Sequence, residues 1–485
     1  MILPPASFID YLLAACLASA LIVWQTGILT TVRVVFASAV DACRAVIILI
    51  KDRGGSGVSR DAATASSTQR SPRRRDTFST FERLFLRLLR YGFTTLPLPV
   101  LRVAMSRPLG YALLRWRMAR CGRWGFGDVS VEPQVLEQGE TKTQGIWIRQ
   151  DKEETRPDVI VYYLHGGCFA VGSCYFYLEF LLAMRHLLKE EAGFANPAVF
   201  ALEYALAPER AFPAQLHEAR LGYEHVLGVA EAAAGDGDDS RVCVMGDSAG
   251  GMLALSLLLQ LAGEADDDGN DDDGESDDDG TGLRRRHAKD RCAASASSSA
   301  AVASGQEQAP ALKKKKTRNH KKKEYNNKKP RAAVLLSPWV TLTSPTLHQT
   351  SDIDYLDRET LWRFGAAYAG SAAAAAGHVD ATSVAATASP GLCTSQRLWT
   401  AAGPDAGYMV LYGEDETLAP DIAAFIEKQR GYGVPVEAAC SPGGVHAWPV
   451  LSLLLSSTGE RRLEGLRDIV SYIGKSLPVA AAKGR

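Results

Sequence analysis

Three groups of residues have the types and spacing that acyl-transfer chemistry needs. Ser248 stands in Gly246-Asp247-Ser248-Ala249-Gly250-Gly251, after the apolar run 241–245 and before the apolar stretch 252–261. A serine on a sharp strand-to-helix turn is a nucleophile elbow. Its backbone is strained, so bulk is excluded two residues to either side, and the Ala249 N–H at the helix start faces the charge that develops on an attacked carbonyl. The motif occurs once, although the chain holds 43 glycines. Serine is a weak nucleophile until a histidine takes its proton, and that histidine needs a carboxylate to fix its tautomer. His446, in Gly443-Gly444-Val445-His446, and the cluster Glu414-Asp415-Glu416 supply the candidates. Asp415 is the intuitive acid, because aspartate is the commoner one in such triads, and the residue types alone leave it open against Glu416. His165-Gly166-Gly167 ends another apolar run, where two glycine N–H groups can approach an oxyanion without side-chain obstruction.

Such groups work only if regular elements hold them. From Asp128 onward apolar runs of strand length (158–164, 198–204, 241–245, 332–340, 407–412, 434–439) alternate with helical stretches (213–234, 252–261, 420–430, 461–475). That alternation predicts a mostly parallel central sheet with helices on both faces. Each candidate follows a strand, at the sheet edge where ligands bind in such folds. Residues 350–370 are expected to be helical and to add to a cap.

The first 127 residues read differently. Residues 11–32 are 22 consecutive uncharged and mostly apolar residues, enough for a transmembrane helix. Asp10 is the only charge before them, which favours an uncleaved anchor over a signal peptide. The anchor is expected to set location and not turnover. Arg33, Arg44, Lys51 and Arg53 follow it, so the positive-inside rule places the remainder in the cytosol. Residues 33–127 read as a basic linker, with Arg73-Arg74-Arg75, and amphipathic cap helices. Phe81, Leu84, Phe85, Leu88 and Leu89 fall at helical spacing, with arginines opposite.

The formal net charge of −1 averages segregated blocks. Residues 264–279 carry 11 acidic side chains and 313–331 are densely basic. The stretch 264–330 therefore reads as a disordered, solvated insertion within the strand-and-helix domain spanning 128–478. Nucleic acid is not expected as a partner. Nine cysteines without C-x-x-C pairing give neither a disulfide framework nor a zinc site, and no metal or cofactor is expected.

The order serine, acid, histidine is that of α/β-hydrolases. With His165-Gly166-Gly167-Cys168-Phe169, E-Y-A-L-A-P-E at 203–209, the GDSAGG turn, L-S-P-W-V at 336–340 and V-H at 445–446, the chain resembles their hormone-sensitive-lipase branch, and within it arylacetamide deacetylases and steryl acetyl hydrolases. The resemblance implies the α/β-hydrolase fold and hydrolysis of carboxylic esters, with acetyl or short-to-medium acyl esters of apolar alcohols, sterols or other lipids as substrates. It implies Gly166, Gly167 and Ala249 as oxyanion donors. It also implies Glu416 as the acid, since the family acid stands two residues before a leucine, as Glu416 does before Leu418. Cys168 departs from the family's usual third glycine, and Ala205 from a common arginine. Relatives carry an N-terminal membrane anchor, so a single-pass protein of the endoplasmic reticulum is expected. Some of them face its lumen, which leaves the sidedness open. A silent small-molecule receptor on this fold is the alternative, and His446 discriminates, because such receptors lack that base.

Overall fold

The computed structural model describes residues 1–37, 39–40, 43, 78–150, 156–234, 241–269, 329–348, 353–370 and 387–478. The basic linker after Lys51 and nearly all of the charged insertion, with its expected disorder, lie outside these residues. One compact unit comprises Met1–Ala262 with Lys329–Arg485. Of a second, Gly263–Lys328, only the end of one helix is described.

Eight strands form one sheet: β1 (Val129–Gln138), β2 (Thr141–Gln150), β3 (Val159–Leu164), β4 (Pro197–Glu203), β5 (Val242–Asp247), β6 (Ala332–Leu336), β7 (Tyr408–Gly413) and β8 (Val436–Ser441). Their order is β1-β2-β4-β3-β5-β6-β7-β8. The pairs from β4 through β8 are parallel, while β1–β2 and β2–β4 are antiparallel. The mostly parallel sheet expected from the sequence is therefore present. The antiparallel hairpin β1–β2 was not foreseen.

Ahead of the sheet stand α1 (Phe8–Thr26), α2 (Ile28–Ala37), α3 (Thr80–Thr95), α4 (Leu98–Ala104) and α5 (Arg107–Arg120). Between and after the strands come α6 (Leu178–Glu190), α7 (Ala214–Ala234), α8 (Ala249–Gly269), α9 (Arg358–Ala369), α10 (Gln396–Ala402), α11 (Ala419–Gly431), α12 (Trp448–Leu455) and α13 (Gly459–Ser476).

Every residue of β3 and β5 is buried, because helices cover both faces of the sheet. Side-chain alternation divides them. Val159, Val161 and Tyr163 join a core with α6 and α13, while Tyr162 points the other way and donates from its hydroxyl to Ala219 O in α7 at 2.8 Å. Helix α8 is apolar all round: Met252 through Leu255 and Leu257 through Leu259 are each at most 1% exposed. Such a helix is stable only inside a core. Helix α9 begins later than expected, because the Asp357 side chain caps it by accepting from Thr360 N at 2.8 Å.

The N-terminal helices form the expected cap. Ser79 and Glu82 make a reciprocal capping box at the start of α3. Phe93 near its end meets Tyr355 at a tilt, 5.7 Å between ring centres. Helix α1 is long and apolar enough to cross a membrane, with a mean hydropathy of 1.7. It is not detached from the rest. Leu3, before it, is 2% exposed within the main core, and Asp10 in its first turn is ion-paired to Arg117 and Arg120 of α5. The helix is thus part of the compact unit that carries the sheet.

Candidate active site

The elbow is built by close packing. Ser248 has φ of 53°, a left-handed conformation that costs a non-glycine residue about 1–3 kcal/mol unless its surroundings enforce it. Here they do: Ser248 N donates to Leu336 O at 2.8 Å, and Ser248 O accepts from Trp339 N at 3.0 Å. A Cβ on Gly250 would overlap the Leu164 carbonyl of β3, and one on Gly246 would overlap the Gly250 carbonyl. The two glycines let β5 turn into α8 this tightly, and Ala249 N–H is left at the open N-terminus of α8.

His446 and Glu416 leave the ends of β8 and β7. Both are buried, and His446 Nδ1 lies 4.0 Å from Glu416 Oε1. Neither atom has a hydrogen-bond partner among the described residues, so a shift of about 1 Å would join them. Glu416 Oε2 is already fixed, accepting from Ser337 Oγ at 2.6 Å and Gly413 N at 3.0 Å. Burial disfavours charge on both partners. It holds His446 down to about 3 and pushes Glu416 up to about 8, so the resting imidazole is neutral and able to accept a proton. Asp415 is exposed, and its backbone N–H donates to Gly444 O at 3.0 Å. The structure brings Glu416, and not Asp415, to the histidine.

At the oxyanion loop one expectation fails. Gly166 N–H donates to Asp247 Oδ1 at 2.8 Å, so it is committed to a buried carboxylate. Gly167, with φ of 113°, Cys168 and Ala249 have N–H groups with no bond among the described residues. Cys168 itself takes φ of 53°, and burial pushes its thiol up to about 12, which leaves it inert as a nucleophile.

Three residues to which the sequence reading gave no role hold this geometry. Asp247 also accepts from Tyr163 Oη and Tyr177 Oη, the latter at 3.1 Å, and so ties the elbow to the oxyanion loop. Ser337 links the acid to the histidine loop, because Ala447 N donates to its Oγ at 2.9 Å. Asp354 lies before α9 and accepts from Thr417 N at 2.7 Å, beside the acid, and from His446 N at 3.2 Å. Burial pushes its carboxyl up to about 6. Asp247 and Ser337 sit inside the quoted motifs, but only their contacts reveal what they do. Asp354 lies outside every motif.

Aromatic rings pack about the loops of the site. Phe169 stacks on Tyr368 with ring centres 3.8 Å apart and stands 6.5 Å from Trp339, while Tyr355 meets the His446 ring edge-on at 5.7 Å. Ser248 is only 4% exposed. Among the described residues no cluster of histidine, cysteine and carboxylate side chains could hold a metal ion.

A mostly parallel sheet that delivers a left-handed serine, an acid and a histidine beyond the ends of β5, β7 and β8 is the α/β-hydrolase fold. Residues 161–268 match the α/β hydrolase fold family, and residues 319–458 match the family described as steryl acetyl hydrolase. Within that class the chain is similar to an acetyl-hydrolase of Streptomyces hygroscopicus, 34% identical over 28% of this chain and 40% of that protein. It is also similar to arylacetamide deacetylase-like 2 of Homo sapiens, 30% identical over 25% of this chain and 29% of that protein. The chain thus spans less than half the length of these curated relatives. A crystal structure of an esterase from the bacterial hormone-sensitive lipase family superimposes with a TM-score of 0.51 and 19% identity, covering 82% of this chain and 99% of that one.

Proposed function

We propose that the protein is a serine hydrolase of carboxylic esters, acting on acetyl or other short acyl esters of apolar alcohols at a membrane. The observation that carries the reading is the buried pair of His446 Nδ1 and Glu416 Oε1, 4.0 Å apart and each without a hydrogen-bond partner among the described residues, in a chain whose Ser248 takes the left-handed conformation of the elbow. Ser248 Oγ attacks the ester carbonyl and passes its proton to His446 Nε2. The carbonyl oxygen becomes an oxyanion, held by the N–H groups of Gly167, Cys168 and Ala249. The C–O bond to the alcohol then breaks, and the alcohol leaves with the proton from His446. Water, deprotonated by the same nitrogen, attacks the acyl-serine, releasing the carboxylic acid and restoring Ser248. Glu416 stabilises the imidazolium in both halves without taking its proton.

The substrate class rests on the aromatic side chains packed about the site's loops, Tyr355 against His446 and Phe169 against Trp339 and Tyr368, surroundings that favour an apolar alcohol. The acetyl-directed names of the relatives and of the matched family support a short acyl group. Membrane attachment rests on α1. A series of p-nitrophenyl esters from acetate to palmitate, run beside an acetylated sterol and an arylacetamide, tests the reading. The expected kcat/KM is highest at acetate or butyrate, with turnover of the acetylated sterol. A maximum at palmitate would contradict the acyl assignment, and no turnover of any ester would contradict the function.

A further inference from the structure

We infer that α1 does not carry the chain across a bilayer: it lies along the cap as a monotopic, lipid-facing helix, with the residues before and after it on one membrane face. The inference rests on the membrane attachment proposed above and concerns its geometry.

Before α1, Leu3 is buried in the core of the catalytic unit, its carbonyl accepts from Arg462 Nη1 at 3.0 Å, and the Pro4 carbonyl accepts from Arg117 Nη2 at 2.8 Å. After α1, Val34 of α2 packs on Ile22, Val100 and Val103, and the chain from residue 78 onward builds that same unit. A single crossing would put Leu3 and the sheet on opposite sides of about 30 Å of hydrocarbon. The contacts on the two sides of α1 cannot then both exist.

The helix is also fastened along its length. At its start Asp10, 1% exposed, accepts from Trp116 Nε1 at 3.0 Å, Arg120 Nε at 3.1 Å and Arg120 Nη2 at 2.8 Å, and Arg117 in turn forks onto Glu179 of α6 with two bonds of 2.9 Å. The Tyr11 hydroxyl donates to Leu454 O at 2.8 Å. Near its end Ile22 packs against α4.

What remains outward is apolar: Phe8 is 77% exposed, Ile9 57%, Leu12 54% and Trp24 87%. A helix with one face fixed to protein and the other presenting large apolar side chains suits burial at the depth of the headgroup boundary. Trp116 fits the same level, half-exposed at its ring and hydrogen-bonded at its nitrogen.

The test uses the full chain in sealed membrane vesicles, with one epitope tag on a Gly/Ser extension before Met1 and a different tag after Arg485. Protease is added with and without detergent. The inference expects the two tags to share one fate, both degraded or both protected before detergent. One tag degraded while the other is protected would establish a single crossing and overturn it, leaving membrane attachment intact. Recovery of the protein wholly in the soluble fraction would instead overturn the attachment and the inference with it. In a second arm, Phe8→Ser with Trp24→Ser should lower binding to phosphatidylcholine vesicles at least ~10-fold, as loss of two large buried apolar side chains requires, with kcat/KM on a soluble short ester unchanged. Unchanged vesicle binding, or a change only in oligomeric state, would show that this face meets something other than lipid.

Discussion

Removing the Glu416 carboxylate should cost activity while leaving the fold whole. The carboxylate orients His446 and offsets its transient charge, and its loss in comparable triads costs about 10⁴-fold in kcat. Glu416→Gln is therefore expected to be severely impaired and Asp415→Asn nearly normal. The reverse ranking in steady-state kinetics would move the acid to the exposed neighbour. Burial has a second consequence at this residue. The carboxyl is raised from 4.5 to about 8, so between those values the folded chain binds more protons than the unfolded one, and stability falls as pH rises. Glu416→Gln should accordingly unfold at the same temperature as the parent or higher at pH 8–9. A clearly lower midpoint there would contradict the burial argument. Activity depends on the ionised acid, so the acid limb of kcat/KM should lie above the ordinary carboxylate range and vanish in Glu416→Gln. At this scale the sequence carried much of the site. The elbow, the histidine and the acid follow from residue types, their order and a family spacing. The spent N–H of Gly166 does not, because the bond runs to Asp247, 81 positions away. No local pattern encodes a contact at that separation.

At the scale of elements, the strands that carry the candidates were legible because they are buried on both faces and so read as uninterrupted apolar runs. The β1–β2 hairpin was not. Its first strand is mostly exposed or half-buried, as an edge strand is, and it lacks a contrast sharp enough to read. The segment before α9 was read as helix, although Asp354 and Asp357 turn their carboxylates to backbone N–H groups there. Asp354 also joins the cap to the catalytic loops, because Arg90 of α3 donates to its backbone carbonyl at 3.0 Å while its carboxylate holds Thr417 N and His446 N. Asp354→Asn replaces one acceptor with a donor facing a backbone N–H. The resulting misplacement of the acid and histidine loops should lower kcat about 10²-fold with KM little changed, the penalty expected of a ~1 Å displacement. An unchanged kcat would make Asp354 a purely structural cap. The charged insertion falls in the chain between α8 and β6, and no candidate residue lies within it. Replacing residues 265–329 by a short Gly/Ser linker should keep kcat on a soluble short ester within a few-fold, and a loss beyond about 10²-fold in a folded protein would mean that the insertion shapes the site.

Across the whole molecule, the N-terminal segment belongs to the catalytic unit that its composition suggested it would only tether. Removing residues 1–26 uncovers core around Leu3 and strips Asp10 from Arg117 and Arg120. Breaking a buried ion pair by losing one partner costs about 3–5 kcal/mol, so the truncated protein should show a markedly lower unfolding midpoint and not a soluble enzyme of normal stability. Hydropathy could not show this, since the apolar residues that bury against the cap and those that face outward look alike in sequence. The account as a whole stands on one covalent event at one residue. An alkyl fluorophosphonate probe, which phosphonylates an activated serine, should label the full chain in the Ser248 peptide by mass spectrometry and leave Ser248→Ala unlabelled with its unfolding midpoint preserved. Labelling of Ser248→Ala at another serine with full stoichiometry, or a folded parent that never reacts, would contradict it.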